Sequence, residues 1–160
     1  MESRAKLLGH PIHPMLVVFP LGLLGMAVIF DVISLVMAQG YWSEVALWMI
    51  VAGVVTGLLA APFGLVDWIA IPAGTRAKRI GALHGIGNVI VVLGFAASAW
   101  LRWVSPQEPS TIALMLSFGG FVLALVTGWL GGELVDRLGV GVDEGAHLNA
   151  PSSLTSDRAA

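Results

Sequence analysis

The sequence predicts an all-α membrane protein: four transmembrane helices in a compact bundle, with both termini cytoplasmic. Three observations lead there. Apolar residues supply 57% of the 160-residue chain and charged residues only 11%, well short of the roughly 25% that solvates an ordinary soluble domain. The apolar residues fall into four unbroken runs, 15–37, 45–71, 80–100 and 112–134, each long enough for a helix to cross about 30 Å of hydrocarbon. The cations are also lopsided. Arg4, Lys6, Arg76, Lys78, Arg79, Arg137 and Arg158 flank one set of span ends, and Arg102 alone flanks the other, the asymmetry that keeps basic segments in the cytoplasm.

Taken in order, span one follows the stretch "GHPIHP", and Pro14 suits the first helical position, where a missing N–H costs nothing. The tripeptide Val36-Met37-Ala38 resembles a signal-peptide cleavage site, but the apolar run before it exceeds the about 7–15 residues of a signal core. A permanent helix is expected. The linkers "AQGYWSE", "PAGTRAKR" and "RWVSPQEPS" separate the spans, and Pro106 with Pro109 should stop span three. Pro20 and Pro62 lie inside spans one and two, where each removes a backbone donor and favours a kink. Small residues recur at Gly53, Gly57 and Ala61, at Gly81 and Gly85, and at Ala124, Gly128 and Gly132. Such stripes let helix backbones approach in lipid, either within the bundle or against a second copy. Trp42, Trp68, Trp100, Trp103 and Trp129 sit near span ends as interfacial anchors; Trp48 lies deeper. The implied organisation is a cytoplasmic leading segment at 1–13, a transmembrane domain at 14–138 and a disordered cytoplasmic tail at 139–160.

Ionisable residues inside a bilayer need a partner or a task. Asp31 lies 17 residues beyond Pro14 and Arg102 lies 18 beyond His84, so at 1.5 Å per residue they share a depth. They should pair if spans one and three are neighbours. Ser98 and Ser117 read as backbone-bonding or packing residues. At the opposite edge gather His10 and His13, Asp67, His84 with Asn88, and Glu133 with Asp136, one polar group from every span. Two readings stand open. In the structural one, the histidines hydrogen-bond to Asp67, Glu133 or loop carbonyls and lock the leading segment onto the bundle. In the ligand one, His10, His13 and His84 hold haem, or these three with Asp67 and Glu133 hold a divalent metal. A single His-x-x-His specifies neither.

Other chemistries drop out. The chain has no cysteine, which excludes disulfides and thiolate ligands. A net charge of −2 does not suit nucleic acid, which needs a dense cationic footprint. No nucleophile elbow, P-loop or zinc-protease motif is present.

The stretches "GHPIHPMLVVFPLGL", "GLVDWIAIPAGTRAKRIGALHGIGN" and "GWLGGELVDRLGVGV" together resemble the bacterial membrane-protein family called domain of unknown function two-two-three-one, over about residues 8–142. The resemblance implies a small multi-pass inner-membrane protein. Some relatives look to be joined to Rieske or cytochrome modules, which implies electron transfer or haem and metal binding as an alternative. Its motif residues fall on His10, Pro11, His13, Pro14, Asp67, His84, Asn88, Gly131, Gly132 and Glu133. Many relatives carry an aromatic residue and a histidine where this chain has Asp136 and Leu138, so a family ligand there would be missing here.

The expectation is therefore a bilayer-embedded, structural or partner-binding protein of the bacterial inner membrane, without an evident enzymatic site. The alternative is a haem- or metal-binding redox subunit with a redox-protein partner. The second alternative is a small transporter or proton conduit, disfavoured because the middles of the spans lack ionisable residues. A homo-oligomer is left open.

Overall fold

The computed structural model describes residues 1–155; Arg158, counted above among the cations, lies outside them. Four helices dominate: α1 (Ile12–Met37), α2 (Gly40–Ala70), α3 (Arg76–Arg102) and α4 (Thr111–Gly132), the last running into a π-helical turn at Glu133–Arg137. All four are long and apolar enough to cross a membrane. Each begins earlier in sequence than its apolar run. Helical backbone continues into the polar flanks, whereas hydropathy marks only the part that lipid would cover.

Local chemistry sets the ends. Ala38 adopts a left-handed conformation (φ 52°) and closes α1, with Gln39 N donating to Ser34 O. The α1–α2 turn is therefore only two residues long. Thr75 and Ser110 cap α3 and α4, their hydroxyls accepting from the N–H of Lys78 and Ala113, which satisfies donors the helix itself leaves free. Pro14 is not the first helical residue. Pro11 is the N-cap, so Pro14 lies two places deeper, still in the first turn where no intrahelical acceptor is lost.

Before α1 comes a small antiparallel hairpin, β1 (Lys6–Leu7) and β2 (His10–Pro11). Leu8 and Gly9 between them both have positive φ, the primed turn that suits the twist of a two-residue hairpin.

The helices pair as two hairpins, α1 with α2 and α3 with α4, joined mainly through α2 and α3, with a lighter α1–α4 contact. Helices α1 and α3 are thus diagonal across the bundle. Leu24, Ala27 and Val28 of α1, Ala46, Leu47 and Ile50 of α2, and Val91, Phe95 and Ala99 of α3 make the buried centre. Phe118 and Phe121 of α4 pack against it. The outward faces are no more polar: Val18, Phe19, Leu58, Leu93 and Val122 are exposed. A helix apolar on all sides needs lipid around it.

Glycines set the closest approaches. A Cβ on Gly53 would stand 2.6 Å from Leu24, and one on Gly81 2.7 Å from Trp68. A Cβ on Gly87 would collide with Thr127. The expected stripe on α4 is placed differently: Gly128 and Gly132, like Gly85, meet nothing within 4 Å, while Gly120 and Gly131 face Phe95 and His84. A four-residue spacing identifies a face but not which way it turns.

Candidate functional site

Two polar constructions interrupt this apolar bundle, one at each end, and both join the diagonal helices α1 and α3.

At the end carrying the α1–α2 turn, Asp31 and Arg102 are fully buried. The guanidinium grips the carboxylate through two parallel bonds, Nη1 to Oδ1 at 2.6 Å and Nη2 to Oδ2 at 2.7 Å. Arg102 Nε also donates to Ser98 Oγ at 3.1 Å and Nη2 to Ser117 Oγ at 3.0 Å. Ser98 donates in turn to Ala113 O at 2.7 Å. The planar fork of arginine makes such a set possible; a lysine could not supply it. Helices one and three are not neighbours, so the pair reaches through the interior rather than along an interface. A depression of about 360 Å³, lined by residues including Asp31, Ser34, Gln107 and Glu108, opens beside it.

At the opposite end, beneath the leading segment, the polar residues form two tiers. In the deeper tier the rings of His13 and His84 stand edge to face, centroids 6.4 Å apart. His13 Nδ1 donates to Ala60 O at 3.0 Å, and His84 Nδ1 donates to Thr127 O at 2.8 Å. Because a carbonyl only accepts, the proton sits on Nδ1 in both rings. The lone pair on His84 Nε2 then accepts from Asn88 Nδ2 at 3.1 Å, and Asn88 Oδ1 accepts from Thr127 Oγ1 at 2.9 Å. Each ring is seated against a glycine of a neighbouring helix. A Cβ on Gly64 would lie 2.9 Å from His13, and one on Gly131 3.2 Å from His84.

The shallower tier lies about 10–12 Å further out, seven or eight residues along α2 and α3. Asp67 accepts from Ser3 Oγ at 2.8 Å on both oxygens, from Arg4 N at 2.8 Å and from Ala5 N at 3.3 Å. Glu133 pairs with Arg76 at 2.7 Å. Trp68 Nε1 donates to Lys78 O, and the Lys78 ammonium lies 4.0 Å from the Trp68 ring centre while donating to Trp68 O and Ile69 O. Above this tier the leading segment meets the chain beyond α4. The Met1 ammonium donates to Gly139 O, Gly141 N donates to Met1 O, Lys6 pairs with Glu2 and Asp143, and His10 pairs with Ser153. The bond from Lys6 holds the Glu2 carboxyl below its ordinary value.

The residues expected to share one layer are therefore divided. His13, His84 and Asn88 are together; Asp67 and Glu133 stand a tier away and apart; His10 is exposed on the hairpin. The difference has a physical cause: α1 starts level with Ala60, about ten residues below the end of α2, so its histidine reaches only the deeper tier. His13 and His84 bond helix carbonyls rather than Asp67, Glu133 or loop carbonyls. Among the described residues no three His, Asp or Glu side chains converge closely enough to hold a metal ion, and both His84 ring nitrogens are engaged. As arranged, these side chains form no three-ligand metal site among the described residues. Thr127 and Ser3 escaped the sequence reading. A lone threonine at the depth of His84 was a usable signal for the first; nothing marked the second.

A family model described as predicted membrane protein (DUF2231) matches residues 9–144. No match was found among curated proteins or among solved structures.

Proposed function

The chain belongs to that family of predicted membrane proteins, and from this premise we propose that it is a structural, partner-binding protein of the bacterial inner membrane with both termini in the cytoplasm. The observation that carries the reading is the use made of its buried polar groups. Asp31 and Arg102, His84, Asn88 and Thr127 bond one another or nearby backbone, and Asp67 and Glu133 bind the leading segment and Arg76. Their chemistry holds helices together and seats a folded cap on the bundle. Partners would meet the cap and the turn beneath it, where Asp136 and Arg137 are exposed. Orientation rests on the seven-to-one cation asymmetry.

Because the chain lacks cysteine, single cysteines report orientation cleanly. With a membrane-impermeant maleimide on intact spheroplasts, Ser105→Cys should label at once, and Ala73→Cys and Ser152→Cys only after lysis. The reverse pattern would invert the proposed topology. Detergent-purified protein from iron-replete cells should be colourless and free of stoichiometric metal; a Soret band abolished by His84→Ala would overturn the structural reading.

A further inference from the structure

We infer that Arg4 and the end of α2 form a binding site for one anionic phospholipid, the headgroup phosphate on the guanidinium and an acyl chain along the helix. A depression of about 400 Å³ is lined by Arg4, Val66, Ile69 and Ala70. One cation above three apolar side chains is the shape and polarity of a phospholipid at its headgroup boundary, where a basic pocket beside a transmembrane helix captures anionic lipid.

Three further features support it. The Arg4 backbone is fixed, since Asp67 accepts from the N–H of both Arg4 and Ala5 and from the Ser3 hydroxyl, so the side chain springs from a fixed point beside the groove. No side chain among the described residues pairs with that guanidinium, whereas Arg76, Arg102 and Lys6 all have carboxylate partners. The depth is right as well. Val66 and Ile69 are exposed at the level of Trp68, whose ring and N–H are held by Lys78, and tryptophan favours the membrane boundary. A planar guanidinium binds phosphate through two parallel bonds, so the phosphodiester is recognised directly and the glycerol backbone is left over Ala70.

The inference rests on the bilayer placement proposed above but not on which side faces the cytoplasm. Native mass spectrometry of the detergent-solubilised full chain tests it, with equimolar phosphatidylglycerol and phosphatidylcholine of matched chains. The wild type should retain one phosphatidylglycerol with at least a fivefold preference. Arg4→Ala should bring the two lipids to parity, Arg4→Lys should keep part of the preference, and Arg79→Ala should leave it intact. Ala70→Trp, which fills the groove with Arg4 unchanged, should lower phosphatidylglycerol retention. Soluble glycerol phosphate at equal concentration should not displace the lipid. Equal retention of both lipids by the wild type, an unaltered preference in Arg4→Ala, an equal loss in Arg79→Ala or displacement by glycerol phosphate would each overturn the site. Failure of the bilayer placement itself would appear separately, as protein that stays soluble without detergent.

Discussion

Arg102 has a carboxylate and two hydroxyls within its reach and no exposed surface, and that environment fixes what its replacement would do. Removing the guanidinium alone leaves Asp31 as an unpaired buried charge, so Arg102→Met should cost about 3–5 kcal/mol, read as the midpoint of SDS-induced unfolding in mixed micelles. Replacing both partners, Asp31→Leu with Arg102→Met, should recover most of that loss, because Ser98 and Ser117 keep Ala113 O as an acceptor. A double variant no more stable than Arg102→Met would show that the ion pair is not the source of the effect. Counting residues from the span ends placed Asp31 and Arg102 at one depth, since helix rise is regular. Counting did not reveal that the pair crosses the bundle, because helix order around a bundle is a property of tertiary packing. The polar edge was less legible for the same reason. His10, His13, Asp67, His84 and Glu133 cluster when read as a list, but α1 begins far below the end of α2. Depth counted from separate origins merged two tiers into one.

The helices themselves were largely written in the hydropathy, although the caps at Thr75 and Ser110 and the turn at Ala38 were not read from it. The hairpin at Lys6–Pro11 was not, because two-residue strands have no period to detect and Leu8 is an uncommon residue at positive φ. Where helix meets helix, the glycines discriminate. Gly87→Ala should force α3 away from Thr127 and cost about 1–3 kcal/mol by SDS unfolding. Gly128→Ala, with open space around its Cα, should be neutral or stabilise by up to about 1 kcal/mol through helix propensity. Equal losses at the two positions would mean that Gly128 also packs against protein, as a second copy of the chain would require. The sequence gives Gly128 the same four-residue spacing as Gly53, so only the direction of each face separates them.

At the scale of the molecule, four helices with apolar exteriors enclose an apolar middle of Leu24, Ile50, Val91 and Phe95, and all polar tethering is pushed to the ends. The leading segment and the chain beyond α4 fold back on each other over one end, so the cap is built from segments on either side of the four helices. The apolar middle leaves the joining of helices to the polar groups at the two ends. It suits a bundle whose diagonal helices are tied by Asp31–Arg102 at one end and braced by His13 and His84, each bonded to a flanking helix, at the other. The histidines decide between this account and a ligand-binding one, and their ring nitrogens can be observed directly. Nitrogen-15 spectra of histidine-labelled protein in lipid bilayers should show both rings protonated at Nδ1, with Asn88→Ala shifting only the Nε2 of His84. Protonation at Nε2, or metal-coordinated Nε2 resonances in both rings, would contradict it.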